Sequence, residues 1–461
     1  MRGKQQNPEQ IKFALNVVNL GEAAGDYVKG VELHTEKDLS EYLAAKEDLM
    51  EVIFNESNIE KAMKRVMKNK GSAGIDEVTV NQLPDYMKKN WSKVKEDLFS
   101  GEYKPKAVKL VEIPKPTGGT RKLGIPTVLD RTIQQAINQI LQPIWEPTFS
   151  ENSYGFRPKK SAHQAVSKLQ EGIREDGHWA VDIDLKDFFN EVNHDKLLAK
   201  MMKVIVDKRV LRLIRKYLQS GIMESGLTTQ SVKGTPQGSP LSPLLSNIVL
   251  DDLDKELESR NHKFCRYADD FIILVKSERA AERVMETVTG YITKRLRLKV
   301  NEDKSQIVRA NKVRFLGFMF YGLKDPRRRI SNEALRRFKQ RVRNYTRRYI
   351  GKRLEKVIAD LNVYLRGWLG YFGYCETPGV LEKYNGWIRR RLRCIQWVQW
   401  KRGKTRYREL RKLGVSEIES ARAASSKRNV WRRSISLGIH LGLSTEKLES
   451  MGLIELLPRS C

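Results

Sequence analysis

The chain has 461 residues with 86 Lys/Arg against 56 Asp/Glu, a net charge of +30 and a pI near 9.8. Such an excess favours a polyanionic partner, and the length predicts two to four domains. No apolar run approaches a membrane span and no signal peptide opens the chain, so a cytoplasmic protein with no membrane partner is expected. The four cysteines, Cys265, Cys375, Cys394 and Cys461, form no Cys-x-x-Cys pair and exclude a disulfide framework or a zinc ribbon.

Residues 1–48 are polar, slightly acidic and weakly periodic, which predicts short helices or disordered chain. From Leu49 to Lys68 a helical stripe (Leu49, Val52, Ile53, Ile59, Ala62, Val66, Met67) runs into the loop Gly71-Ser72-Ala73-Gly74. Val108 to Ile113 alternates as a strand does. Thr117-Gly118-Gly119 then reads as a hairpin tip leading to Arg121-Lys122-Leu123, and Arg131 to Ile144 as a helix.

The next segment carries chemistry. Trp179 to Leu185 alternates apolar and acidic residues, so Asp182 and Asp184 share one face of a strand. Taken alone, it is equally a half-buried strand with a solvated acidic face. A helical stretch from His194 to Leu218 follows, then the Gly/Pro-rich loop Lys233–Pro243 and a helix from Leu244 to Leu253.

Lys263–Arg266, Tyr267-Ala268-Asp269-Asp270 and Phe271–Val275 read as strand, tight turn and strand, with two acids at the tip. Adjacent carboxylates repel unless a cation neutralises them. Only oxygen ligands are on offer, which favours magnesium or calcium over zinc. Were the two acidic strands side by side, Asp184 and Asp269 could hold two ions roughly 4 Å apart, as in-line phosphoryl transfer requires. Glu278 to Leu296 predicts a helix and Leu298-Lys299-Val300 a short strand, giving an α+β domain.

Beyond Pro326 the texture changes. Ser331–Tyr349, Leu354–Tyr374 and Val380–Trp400 read as three basic helices laced with aromatics, and five of the eight tryptophans lie after residue 360. Residues 325–461 hold 33 Lys/Arg and 12 Asp/Glu, a balance of +21, whereas residues 1–48 carry −3. Polyanion binding is therefore expected mainly in the C-terminal part. Tyr345, Tyr349, Trp387, Trp397 and Tyr407, interleaved with arginines, add stacking surface.

The Gly/Pro-rich loop between two acidic strands is the order found in nucleic-acid polymerase palms. The chain resembles the reverse transcriptases and, within them, the group II intron-encoded reverse transcriptase/maturases. The strings that carry this resemblance are Gly74-Ile75-Asp76, Ile113-Pro114-Lys115-Pro116, Arg121-Lys122-Leu123-Gly124-Ile125-Pro126, Tyr154-Gly155-Phe156-Arg157-Pro158, Thr235-Pro236-Gln237-Gly238, Tyr267-Ala268-Asp269-Asp270 and Arg314-Phe315-Leu316-Gly317-Phe318. They keep their order from about residue 50 to about residue 440.

The resemblance implies an α+β right-hand polymerase with an α-helical thumb and a basic, mainly helical C-terminal nucleic-acid-binding segment. Its expected divisions are an N-terminal extension at 1–48, fingers and palm at 49–324, the thumb (maturase X region) at 325–400, and a DNA/RNA-binding segment at 401–461. The implied activity is RNA-directed DNA polymerisation with two Mg2+ ions. Asp184 and Asp269 would ligate both, the Leu185 carbonyl would help one, and Asp270 would complete the cluster. Asp182 is expected to be structural, because the family pattern Asp-x-x-x-x-Phe aligns on Asp184.

By the same resemblance Phe189 packs under the sugar and leaves no room for a 2′-hydroxyl, or else is a core residue beside Phe188. Lys115 and Arg121 match residues that bind the incoming triphosphate, Gln237 approaches the nascent pair, and Arg157 contacts template or nucleotide. The implied partners are a group II intron RNA, an RNA template with a DNA primer, target DNA and dNTPs, in a nucleoid- or ribonucleoprotein-associated complex.

The chain reaches Cys461 without the His-, Asn- and Cys-rich cluster of an endonuclease, which resembles the compact bacterial subgroup lacking that domain. Two other readings stand beside the leading one: a splicing cofactor without polymerase activity, and a domesticated reverse transcriptase in repair or phage defence. Intact Asp184, Asp269, Asp270, Lys115, Arg121 and Gln237 argue against the former, and flanking intron RNA would decide the latter.

Overall fold

The computed structural model describes residues 47–457, apart from 115–119, 176, 225–226, 230–232, 236–237, 350 and 428. The chain forms two compact units that part between Leu316 and Gly317, ahead of the expected division at 324/325.

The first unit begins with α1 (Leu49–Ile53) and α2 (Glu56–Lys68), two helices where the stripe predicts one. Asn55 interrupts the run because its side chain caps α2, accepting the Ser57 N–H at 3.0 Å. After α3 (Leu83–Ser100) come β1 (Val108–Pro114) and β2 (Thr120–Ile125), paired antiparallel from Lys109↔Ile125 to Pro114↔Thr120. The expected hairpin tip at Thr117-Gly118-Gly119 lies outside the described residues. Next are α4 (Val128–Trp145), capped by Thr127, and α5 (Ala162–Arg174).

There follow β3 (Trp179–Ile183), α6 (Phe188–Glu191), α7 (His194–Met201) and α8 (Lys208–Gln219). The single helix expected over His194–Leu218 is split before Asp207. That buried carboxylate accepts the N–H groups of Arg209 at 2.9 Å and Met50 at 3.0 Å, so it starts a new helix and ties it to α1. β4 (Ile222–Glu224) and β5 (Leu227–Thr229) extend the first sheet in the order β2-β1-β4-β5.

The unit ends with α9 (Ser242–Ser259), β6 (Lys263–Tyr267), β7 (Asp270–Val275), α10 (Glu278–Tyr291) and β8 (Gln306–Arg309). The second sheet runs β6-β7-β3-β8, antiparallel throughout. One continuous apolar core joins α1, α2 and α4 to the inner face of this sheet. The strand expected at Leu298-Lys299-Val300 is absent. Arg297 takes a left-handed φ of 56° and the Leu298 N–H returns to the Ile292 carbonyl at 3.1 Å, so these residues close the helix. Only Val300 bridges, to Leu185.

The second unit starts with the hairpin β9 (Phe318–Tyr321) and β10 (Arg327–Ile330). The three expected helices follow as α11 (Asn332–Tyr345), α12 (Leu354–Phe372) and α13 (Gly379–Gln399), packed around Phe338, Trp368 and Tyr384. Five short helices complete it: α14 (Gly403–Lys412), α15 (Glu417–Ser425), α16 (Val430–Arg433), α17 (Leu437–Gly442) and α18 (Thr445–Ser450). Trp397 and Trp400 at the end of α13 pack with Leu410, Val415, Ile439 and Leu443. The segment from Lys401 thus shares a core with the end of α13. Among the described residues, no helix is long and apolar enough to cross a membrane.

Candidate active site

The two acidic strands are neighbours. β3 pairs antiparallel with β7, Asp182 opposite Ile272 and Ile183 opposite Phe271, so Asp184 emerges one step beyond the last pair, beside Asp270. β6 and β7 close on the pair Tyr267↔Asp270, which leaves Ala268-Asp269 as a two-residue turn. The carboxylates of Asp182, Asp184, Asp269 and Asp270 therefore gather at one end of the sheet.

Electrostatics register that crowding. Asp270 stands at the exposed end of β7, where three other carboxylates act on it. Loss of water, and then the charges of Asp269, Asp184 and Asp182, push its pKa up to about 7. Asp182 is also raised, first by burial and then by the charge of Asp184, while a 3.1 Å hydrogen bond donated by Gln306 of β8 opposes the shift.

The segment before β8 grips Asp184, and sequence reasoning missed it. Asn301 donates its side-chain amide to Asp184 Oδ2 at 2.9 Å and its N–H to the Asp184 carbonyl at 2.8 Å. The Asp184 N–H donates to Ser305 Oγ at 3.1 Å, and Lys304 Nζ lies 3.5 Å from Oδ2. The signal was present as Val300-Asn301-Glu302-Asp303-Lys304-Ser305, but polar residues between a helix and a strand read as a plain loop. Leu185 and Val300 face each other without bonding. The ladder bonds run between their neighbours, from the Lys186 N–H to the Lys299 carbonyl and from the Asn301 N–H to the Asp184 carbonyl. This ladder makes no use of the Leu185 carbonyl.

Asp187 turns the chain at a left-handed φ of 48° into α6, which buries Phe188 and Phe189. Phe189 is 8% exposed, with its ring 5.3 Å from that of Phe188. Its carbonyl accepts the Thr235 N–H at 2.6 Å and the Val192 carbonyl accepts the Gly234 N–H at 2.8 Å, so the Gly/Pro-rich loop docks beside it. A Cβ on Gly234 would stand 2.9 Å from Asn190 backbone, and one on Gly238 2.8 Å from the Gly124 carbonyl of β2. Both glycines have positive φ, so both the fit and the turn require them. Lys115, Gln237 and the side chain of Arg121 lie outside what the structure describes.

Arg157 corrects its expectation. Its side chain is 2% exposed. The guanidinium is spent on Glu146 (2.8 Å from Nη2 and 2.9 Å from Nε) and the Ser153 carbonyl (2.7 Å). No face remains for template or nucleotide, because a buried guanidinium must satisfy its donors internally. Arg157 folds the loop that precedes α5.

The donor set suits a hard divalent cation: carboxylate and carbonyl oxygens, with like charges that a cation would relieve. Among the described residues, however, no three His, Cys, Asp or Glu side chains come together as a group that could hold a metal ion.

Comparison with known proteins bears on the same residues. The family model described as reverse transcriptase (RNA-dependent DNA polymerase) matches residues 113–320, and that of the group II intron maturase-specific domain matches 335–414. Protein YkfC of Escherichia coli is 31% identical over 314 residues, 59% of this chain and 81% of YkfC. Group II intron-encoded protein LtrA of Lactococcus lactis is 30% identical over 327 residues, 56% of this chain and 54% of LtrA, so the match spans about half of that relative. A solved partial Cas6-RT-Cas1–Cas2 complex aligns over 53% of this chain and 42% of its own, at 25% identity and a TM-score of 0.36.

Proposed function

The chain belongs to the reverse transcriptases that carry a group II intron maturase-specific domain, and on that premise we propose that it extends a DNA primer on an RNA template and binds an intron RNA to aid its splicing and mobility. The pairing of β3 with β7, which sets Asp184 beside Asp269 and Asp270, carries this reading.

Asp184 and Asp269 are the proposed ligands of two Mg2+ ions, with Asp270 and the Leu185 carbonyl completing the oxygen set. When bound, magnesium lowers the pKa of a primer 3′-hydroxyl and neutralises charge on the triphosphate. Asn301 and Ser305 hold Asp184 in place, and Lys304 balances part of the negative charge. Phe189 closes the floor under the sugar and thereby selects deoxynucleotides. Lys115 and Arg121 take the triphosphate by charge-assisted hydrogen bonds, and Gln237 approaches the nascent pair.

The second unit supplies most of the phosphate neutralisation, since residues 325–461 carry +21 of the +30. The intron RNA, the primed template and the target DNA are its proposed polyanions, met in a cytoplasmic ribonucleoprotein. Primer extension on an RNA template with Mg2+ and dNTPs tests the reading. Wild-type protein should extend, and Asp269→Asn should not. Extension by both, or by neither under a range of divalent ions, would overturn it.

A further inference from the structure

Arg266 stands on β6 immediately before the Tyr267–Asp270 turn, and its side chain is 0% exposed. A buried guanidinium is tolerated only where its charge is met and its donors are satisfied. Here Nε and Nη2 fork onto the two oxygens of Asp254 at 2.7 and 2.6 Å, and that carboxylate, on α9, is equally buried. The remaining nitrogen, Nη1, donates to Asn247 Oδ1 at 3.0 Å and to the Ala268 carbonyl at 2.9 Å. One nitrogen of the buried fork thus reaches into the turn that presents the catalytic carboxylates.

That turn has reason to be held. Ala268 has φ of 58°, a left-handed conformation that is unfavourable for a residue with a Cβ. Such a conformation persists only where the surroundings impose it. Two neighbours impose it here. Arg266 fixes the carbonyl side, and Gly155 presses on the amide side, so closely that a Cβ there would stand 2.2 Å from Ala268 N. Asn247 links the two, donating its amide to the Gly155 carbonyl at 2.9 Å while accepting from Arg266. Asp254 and Asn247 lie seven residues apart on α9, two turns and one face, so a single helix mounts the assembly.

We propose that Arg266 is a positioning residue for the metal-binding carboxylates: clamped by Asp254 and Asn247, it holds the Ala268 carbonyl and thereby fixes where Asp269 and Asp270 point. The proposal rests on the reading of those aspartates as metal ligands. Wholly buried, Arg266 acts through the turn and not on a ligand directly. An arginine needed only to fill the core would require no fourth bond to a strained turn.

Replacing the pair by apolar residues of similar size separates positioning from packing, because such exchanges of a buried ion pair are often neutral for stability. The test compares the full-length Arg266→Met/Asp254→Leu protein with wild type in three measurements: thermal unfolding, Mn2+ binding by electron paramagnetic resonance without nucleic acid, and primer extension. We expect unfolding within a few degrees of wild type. Mn2+ should bind about tenfold or more weakly, as on loss of a group that orients a ligand. The kcat should drop about 100-fold while KM for primed template is unchanged, as for a small misplacement of reacting groups.

Wild-type Mn2+ affinity and kcat in the folded double variant would overturn the proposal. Should that variant not fold, Arg266→Lys decides, since it keeps the charge and removes the fork. Weakened Mn2+ binding in a folded Arg266→Lys protein supports positioning, and unaltered binding, or failure of this variant to fold as well, overturns it. If Mn2+ binding survives Asp269→Asn undiminished, the reading of the site itself fails, an outcome distinct from any of these.

Discussion

Asn301 binds Asp184 twice, through its backbone N–H to the carbonyl at 2.8 Å and through its side-chain amide to Oδ2 at 2.9 Å. The backbone bond does not depend on the side chain, so Asn301→Ala isolates the side-chain contact. Asp184 then loses the donor that fixes its carboxylate and keeps only the 3.5 Å contact with Lys304. Divalent-ion affinity should fall about tenfold and extension with it, as for other groups that orient a metal ligand. RNA binding in filter assays should not change. Unaltered dependence of extension on Mg2+ concentration would show that Asp184 needs no such support.

Asp269→Asn keeps the shape of the turn and removes one ligand charge. Extension on an RNA template should fall by roughly a thousandfold, the scale of losing a principal electrostatic stabiliser of the transition state. Binding of RNA should persist or tighten slightly, because a carboxylate opposes a polyanion. Near-normal extension by this variant would remove the aspartate pair from the mechanism.

The raised pKa of Asp270 gives a pH test with a definite sign. Its pKa is about 7 when folded against an ordinary 3.8, so the folded protein holds a proton that the unfolded chain has released. The resulting stability is full below pH 3.8 and is lost as pH rises through about 7. A divalent ion supplies the missing counter-charge once the carboxyl has ionised. Mg2+ should therefore raise the melting temperature more at pH 8 than at pH 5.5. Asp269→Asn should shrink this difference, since it removes both a ligand and a repelling neighbour. An equal Mg2+ effect at both pH values would refute the coupling.

Much of this site was legible in the sequence, for a physical reason. Strand alternation and a two-residue turn are local properties, so Asp184, Asp269 and Asp270 stood out from their immediate neighbours. Their proximity was an expectation that the pairing of β3 with β7 realises. Burial and partner choice are not local. Arg157 carries the same motif position whether it faces nucleic acid or, as found, Glu146. Asn301 and Ser305 lie more than a hundred residues from Asp184 and carry no periodic signature. The break between α7 and α8 likewise depends on Asp207 reaching the Met50 N–H, a contact no window of sequence contains.

The Phe189 side chain packs in the core while its carbonyl holds the loop at Thr235, so the size of the replacement matters. Phe189→Ala would open a cavity worth roughly 3–5 kcal/mol in a core and confound the result. Phe189→Val retains part of the packing while clearing space for a 2′-hydroxyl. Ribonucleotide incorporation should rise about tenfold or more relative to deoxynucleotides, a discrimination of at least 1.4 kcal/mol. Competition between rNTPs and dNTPs on one primed template measures it. Wild-type selectivity in a folded Phe189→Val protein would make Phe189 a core residue only.

Deleting residues from Lys401 onward is the direct way to try to remove RNA binding and spare catalysis, but the packing of the second unit predicts otherwise. Truncation strips Leu410, Val415, Ile439 and Leu443 from Trp397 and Trp400. It also leaves two buried amides unpaired: Asn362, which donates to the Gly452 carbonyl at 2.6 Å, and Asn385, which accepts the Leu456 N–H at 2.8 Å. Each unpaired buried group costs about 1–3 kcal/mol beyond the lost apolar contacts. The truncated protein should therefore lose the folded thumb, seen as a collapsed melting transition, together with extension and RNA binding. Charge substitution avoids this. Arg347 and Arg348 are exposed on the loop after α11, so Arg347→Gln/Arg348→Gln should leave the melting temperature unchanged. If both contact phosphates, the slope of log affinity for intron RNA against log salt should become shallower by about 2. Extension of a short primed template at low salt should persist. A truncated protein that melts normally and still extends would refute the shared core, and an unchanged salt slope would place the RNA elsewhere on the basic surface.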